Sequence, residues 1–163
     1  MSVRVLQVPY QDDRVQILVD QVQQEYVRRY GGPDDSPVDP AQFAPPLGRF
    51  FVAMQGEQPV AMGGWRPGPG LDDLGASRVA EVKRMYVVPH ARRTGLARLV
   101  LRALEDSARE AGCDLLVLET GLKQPEAIAL YESAGYVRVT SYGHYKWSPL
   151  SRYYGRRLTA PAE

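Results

Sequence analysis

Arg92-Arg93-Thr94-Gly95 is a basic turn placed where a strand hands over to a helix. The first N–H groups of a helix have no internal acceptor, and the helix dipole adds partial positive charge there. Two arginines add full charges, and the small Gly95 and Ala97 let an anion approach the backbone closely. These residues suit the grip of a phosphate. Neither common phosphate motif is present. The Walker pattern needs a closing Gly-Lys-Ser/Thr, and the dinucleotide fingerprint needs three spaced glycines and a later acid. Two readings remain: a pyrophosphate on an extended cofactor, or an ordinary strand–turn–helix with a solvated basic turn.

The elements that position this turn are legible on both sides. The strand before it is Ala80 to Val88, rich in Val and Tyr and closed by Pro89, which cannot donate to a ladder. The helix after it carries Leu96, Leu99, Val100, Ala103, Leu104, Ala108 and Ala111 at the 3.6-residue period, and Gly112 stops it. Further out, Val3 to Val8 reads as a strand. Asp12 or Asp13 caps a helix from about Arg14 to Tyr30, with Val15, Leu18, Val19, Val22 and Tyr26 inward. A short helix is expected near Pro40–Phe43. Phe50–Met54 and Pro59–Trp65 form a hairpin. Leu115–Leu118 is a continuous apolar run, which suits a strand buried on both faces in parallel pairing. A second helix starts at Pro125 and ends at Gly135. Tyr136–Thr140 and Arg152–Leu158 are the last two strands. The order predicts an α/β mixed sheet with helices on both faces.

Composition narrows the partners. Residues 1–163 suit one domain, with Thr159–Glu163 as a frayed tail. The net charge is +1, so no strong field draws the chain to nucleic acid or to a membrane. No apolar run reaches spanning length and no signal-peptide core opens the chain, so a cytoplasmic location is expected. One cysteine, Cys113, and two histidines make neither a disulfide nor a metal cluster, and no metal is expected.

Three stretches together resemble the GNAT superfamily of N-acetyltransferases. The turn Arg92-Arg93-Thr94-Gly95-Leu96-Ala97 is similar to the family's Q/R-x-x-G-x-G/A loop. The strand AEVKRMYVVP resembles its central strand. The segment from Gln124 to Tyr136 resembles N-x-x-A-x-x-L-Y-x-x-x-G-F/Y, with Gln124 where Asn is usual and Ala97 in place of the last Gly. The resemblance implies a mixed, mostly antiparallel sheet of about seven strands with a splayed central parallel pair. It implies acetyl-CoA as co-substrate, its pyrophosphate on Arg92, Arg93, Thr94, Gly95, Leu96, Ala97 and Arg98, and a contact from Gln124. The pantetheine arm would pair with the backbone of Met85, Tyr86 and Val87, and the Met85 amide would serve the oxyanion.

Acyl transfer to an amine also needs a base and an acid. Glu81 is the candidate base. Alternation puts it on the same face as Met85, but roughly 13 Å away, so the proton would travel through water unless a bulge shortens the path. Its other reading is a structural pair with a neighbouring cation, and Lys83 and Arg84 alternate to opposite faces. Tyr131 is the candidate acid, since a phenol stays protonated at neutral pH and the family places a thiol-facing tyrosine there. Its other reading is a core aromatic. Tyr26, Tyr30, Trp65, Tyr142 and Tyr145 are expected to wall the acceptor site. Asp34, Asp35, Asp39, Asp72 and Asp73 read either as attractors of a cationic amine or as solvated loop residues, the second reading being favoured for most of them. The expected acceptor is a small-molecule or peptide amine. The family resemblance allows a homodimer. An enzyme that acetylates a primary amine is favoured over a non-catalytic acyl-CoA-binding module because both proton-transfer candidates are present.

Overall fold

The computed structural model describes residues 2–71 and 75–158. In chain order the strands are β1 (Val3–Gln7), β2 (Arg49–Gln55), β3 (Gln58–Pro67), β4 (Val79–Val87), β5 (Leu115–Gly121), β6 (Val137–Arg138) and β7 (Ser151–Arg157). The helices are α1 (Asp13–Tyr30), α2 (Leu96–Glu110) and α3 (Pro125–Ser133), with short 3₁₀ turns at Pro40–Phe43 and Pro89–Ala91. The sheet order is β1-β2-β3-β4-β5-β7-β6. Every neighbouring pair is antiparallel except β4 with β5.

Local chemistry explains the element ends. Asp12 accepts from the Arg14 amide at the start of α1, and Gly31, at φ +83°, closes it in the left-handed conformation. β2 and β3 join through Gly56 and Glu57, between the paired Gln55 and Gln58. The apolar stripe of α2 places Val100, Leu101, Leu104 and Ala108 in the core. Trp65 donates from Nε1 to Ser107 of α2 at 2.8 Å, so α2 lies on the Trp65 face of the sheet. Tyr86 donates to Gln21 of α1 at 3.3 Å, so α1 covers the opposite face.

Two strands differ from expectation. β5 runs on past Leu118 to Gly121, because β7 pairs with it along its whole length. The expected strand Tyr136–Thr140 shrinks to Val137–Arg138 at the sheet edge, where both residues are exposed. Short edge strands limit pairing with other chains. The expected tail at Thr159–Glu163 lies outside the described residues.

Candidate active site

The parallel pair at the centre of the sheet comes apart. β4 and β5 pair at Val79–Leu115, Ala80–Leu116 and Glu81–Val117 and no further. Beyond that point Val82–Val87 and Leu118–Gly121 have no strand between them. A bulge in β4 sits beside the split. Gly64 pairs with Lys83 but Met62 pairs with Tyr86, so β4 spends one residue more than β3. Arg84 takes φ +62°, which a side-chain-bearing residue seldom adopts. Such a bulge bends its strand and re-aims its side chains.

The bulge overturns two expectations built on strict alternation. Residues paired across a ladder share a face, so Glu81, Lys83 and Tyr86 lie on the face of Arg66, Gly64 and Met62. Met85 lies on the other face with Gly63, where a Cβ would come within 2.5 Å of Met85 Sδ. Glu81 and Met85 therefore do not point the same way. Lys83 and Arg84 do not diverge either: both reach Asp34 Oδ2, at 3.4 and 2.7 Å.

A cleft of about 370 Å³ opens at the split. Val82–Met85 and Leu118–Gly121 form its strand walls, Tyr26 and Tyr30 come from α1, and Ala127 and Tyr131 from α3. Gln124 and Tyr145 complete this part of the lining. Tyr30 donates to Gln124 Oε1 at 3.3 Å and packs so tightly on Gly121 that no Cβ fits there. Tyr131 is 5% exposed. Burial, then the charge of Glu119, pushes its phenol above the ordinary value. Its ring meets Tyr136 edge-on at 5.8 Å, and Tyr136 donates to the buried Glu105 at 2.8 Å.

Two carboxylates in the cleft have opposite tendencies. Burial pushes Glu119 up from the usual carboxylate range, tempered by Lys83 and a hydrogen bond from Ser151. Burial also works against the charge of Asp34. Lys83, the hydrogen bonds from Ser36 and Arg84 outweigh it and hold Asp34 well below the usual range. Tyr145 donates to Asp34 Oδ1 at 2.9 Å and ties the late loop across to this residue. Asp35 is exposed, and hydrogen bonds from Tyr145 and His144 lower its pKa.

The turn before α2 leaves that helix's first amides without a side-chain cap. Gly95 is the N-cap residue at φ +85°. Arg93, Thr94, Gly95 and Arg98 are exposed, and Ala97 is half-buried. Arg92 is engaged inward. Its Nε donates to Val87 O at 2.9 Å, its Nη2 to Glu25 of α1 at 2.7 Å, and its guanidinium lies over the Tyr86 ring. Arg98 reaches Ser133 Oγ of α3.

Other expected residues fall elsewhere. Glu81 accepts from Arg66 Nε at 3.0 Å, both side chains being largely buried, and does not line the cleft. Trp65 is buried on the α2 face. Tyr142 packs edge-on against Tyr153 in a small separate core with Leu71, Leu115 and Val117. Asp39 caps the 3₁₀ turn at Pro40–Phe43, and Asp72 and Asp73 lie outside the described residues. Sequence reasoning missed Glu119. Its signal was a lone acid at the end of an otherwise apolar run, since a charge in a strand flanked on both sides needs a reason.

Known proteins resemble this chain in sequence and fold. Residues 19–136 match the family described as Acetyltransferase (GNAT) family. A protein of Azospirillum brasilense named IAA acetyltransferase is 35% identical over 150 residues, covering 92% of this chain and 94% of its own. A solved chain from Klebsiella pneumoniae, described as a candidate acyl-CoA N-acyltransferase, superposes with TM-score 0.74 at 27% identity, over 96% of this chain and 98% of that one. The Salmonella typhimurium protein yncA, solved with its cofactor acetyl-CoA, has the same fold, with TM-score 0.70 at 16% identity over 100% and 98%. Since the family match runs from α1 through Tyr136 and a relative aligns along nearly the whole of both chains, this chain is a member of the GNAT family of acetyltransferases.

Proposed function

We propose that this enzyme moves an acetyl group from acetyl-CoA to a primary amine by direct attack on the thioester. The observation that carries the reading is the split between β4 and β5, which opens beyond Glu81 and Val117 and has Tyr131 in its wall. Acetyl-CoA would supply the activated acetyl group. The free amides at the start of α2, with Arg93 and Arg98, hold its pyrophosphate. Arg92 instead pins the turn to β4 and α1. Met85 lines the gap; the backbone of Met85, Tyr86 and Val87 would receive the pantetheine arm, and the Met85 N–H would steady the developing oxyanion.

Two side chains handle the protons. Glu119, not Glu81, takes the proton that the amine nitrogen loses as it bonds to the acetyl carbon. Its place in the cleft and a pKa raised by burial above the usual carboxylate range suit a general base. Tyr131 gives its proton to the departing CoA sulfur as the C–S bond breaks, because burial keeps its phenol protonated. Glu81 holds Arg66 in place. The test is thiol release from acetyl-CoA across a panel of amines. The reading predicts amine-dependent release that falls about 100-fold in Tyr131→Phe with little change in acetyl-CoA affinity. Bound acetyl-CoA with no release toward any amine would contradict it.

A further inference from the structure

Glu25 is a carboxylate where the helix pattern calls for an apolar residue. The buried residues of α1 are otherwise Val15, Leu18, Val19 and Val22, and Glu25 follows Val22 by three on the same stripe. It is 7% exposed. A charge in such a place persists only with a partner, and Arg92 supplies it, donating from Nη2 to Glu25 Oε1 at 2.7 Å. Arg92 opens the turn before α2. Its planar fork works on a second side as well, since its Nε donates to Val87 O at 2.9 Å. Its face lies 5.7 Å from the Tyr86 ring, and Tyr86 donates to Gln21, one turn before Glu25 on α1. The rest of the turn needs such an anchor. Arg93 takes φ +65° with its side chain exposed, and a side-chain-bearing residue keeps that conformation only where its surroundings enforce it.

We infer that Glu25 is a positioning residue for acetyl-CoA: by holding Arg92 it fixes the turn whose amides take the pyrophosphate. This inference rests on the donor half of the acetyl-transfer reading above. The end of α1 is the fixed side of the contact. Beyond its core stripe, Tyr30 donates to Gln124, and Arg29 reaches Lys123 O and Glu126. With Arg92 held against this helix, the turn is ordered before the donor arrives, and the donor need not order it on binding. The alternative is that Arg92 itself grasps the pyrophosphate. It would then have to leave both Val87 O and Glu25, and Glu25 would stay buried without its cation, which is costly. The two arrangements give opposite signs when the Glu25 charge is removed. An anchored Arg92 makes the variant bind acetyl-CoA more weakly, whereas a grasping Arg92 would be set free and bind it more tightly.

The experiment measures acetyl-CoA affinity by calorimetry in the full chain. Glu25→Leu keeps the α1 stripe apolar and should raise Kd about tenfold. Glu25→Gln still accepts a hydrogen bond but lacks the charge, and should raise Kd about threefold. In an Arg92→Met background, adding Glu25→Leu should change Kd less than about twofold, because Glu25 acts through Arg92. At saturating acetyl-CoA, kcat and the amine KM of Glu25→Leu should stay within about twofold of wild type, a split that general damage to the fold would not produce. Unchanged or tighter acetyl-CoA binding in Glu25→Leu, or losses that simply multiply in the double variant, would overturn the inference and leave acetyl transfer standing. Acetyl-CoA binding without thiol release toward any amine would remove acetyl transfer, and the affinity series would still decide the role of Glu25. A wild-type enzyme that binds no acetyl-CoA would remove both.

Discussion

Glu81 and Glu119 stand on adjacent strands and have different fates. Glu81 is spent on Arg66, whereas Glu119 faces the cleft with its pKa raised by burial. Glu119→Gln should remove the acidic limb of the kcat/KM profile, which in the wild type lies above the ordinary glutamate value of 4.5. Glu81→Gln should keep that limb and instead lower stability by about 1.5 kcal/mol in urea unfolding, through the weakened bond to Arg66. Asp34 gives a separate test. Its pKa is lowered from 3.8 on folding, so its contribution is fully present above that value and is lost as the pH falls from there through the lower folded pKa, where protons favour the unfolded chain. Asp34→Ala should cost about 3 kcal/mol at neutral pH, because two cations lose their partner. The gap between variant and wild type should narrow below pH 3.8. Tyr131 could be singled out in the sequence because its position in a helical motif is local. Glu119 could not, because what distinguishes it is the splitting of a strand pair that lies 36 residues apart in sequence at its paired end.

Among the elements, β4 decides the geometry. Its existence and direction were legible from Val, Tyr and the closing Pro89, as were α2 and the turn between them. The bulge at Arg84 was not, because no glycine or proline marks it. The cue lies on the partner strand, in Gly63, which leaves room for Met85 against Val100 and Leu104. A side chain there must displace Met85, so Gly63→Val should destabilise the fold by about 2 kcal/mol, measurable by denaturant midpoint. Of the aromatic residues expected to wall the acceptor site, Tyr26, Tyr30 and Tyr145 line the cleft, whereas Trp65 bonds Ser107 of α2 and Tyr142 packs in the small core with Tyr153. At the other end of the site, Gly95 holds φ +85° at the uncapped start of α2. Gly95→Ala should strain that turn by about 1 kcal/mol and weaken acetyl-CoA binding, read by calorimetry, while leaving amine KM nearly unchanged.

For the whole molecule, the parts of the fold set by periodicity and order could be read from the chain. The parts set by register could not, since a one-residue slip leaves the composition untouched and reverses every face. Among the described residues no helix is long and apolar enough to cross a membrane. A donor that binds both the α2 terminus and the β4/β5 gap ties the two halves of the sheet together. Saturating acetyl-CoA at about 100 times its Kd should therefore stabilise the enzyme by about 2.7 kcal/mol and raise Tm by roughly 5–10 °C. The most direct measurement is a crystal structure of the acetyl-CoA complex. The account predicts the pyrophosphate on the Leu96–Arg98 amides and the thioester between β4 and β5, its carbonyl at the Met85 N–H and its sulfur within hydrogen-bond reach of the Tyr131 hydroxyl. A pantetheine arm lying outside that gap, or a sulfur remote from Tyr131, would contradict it.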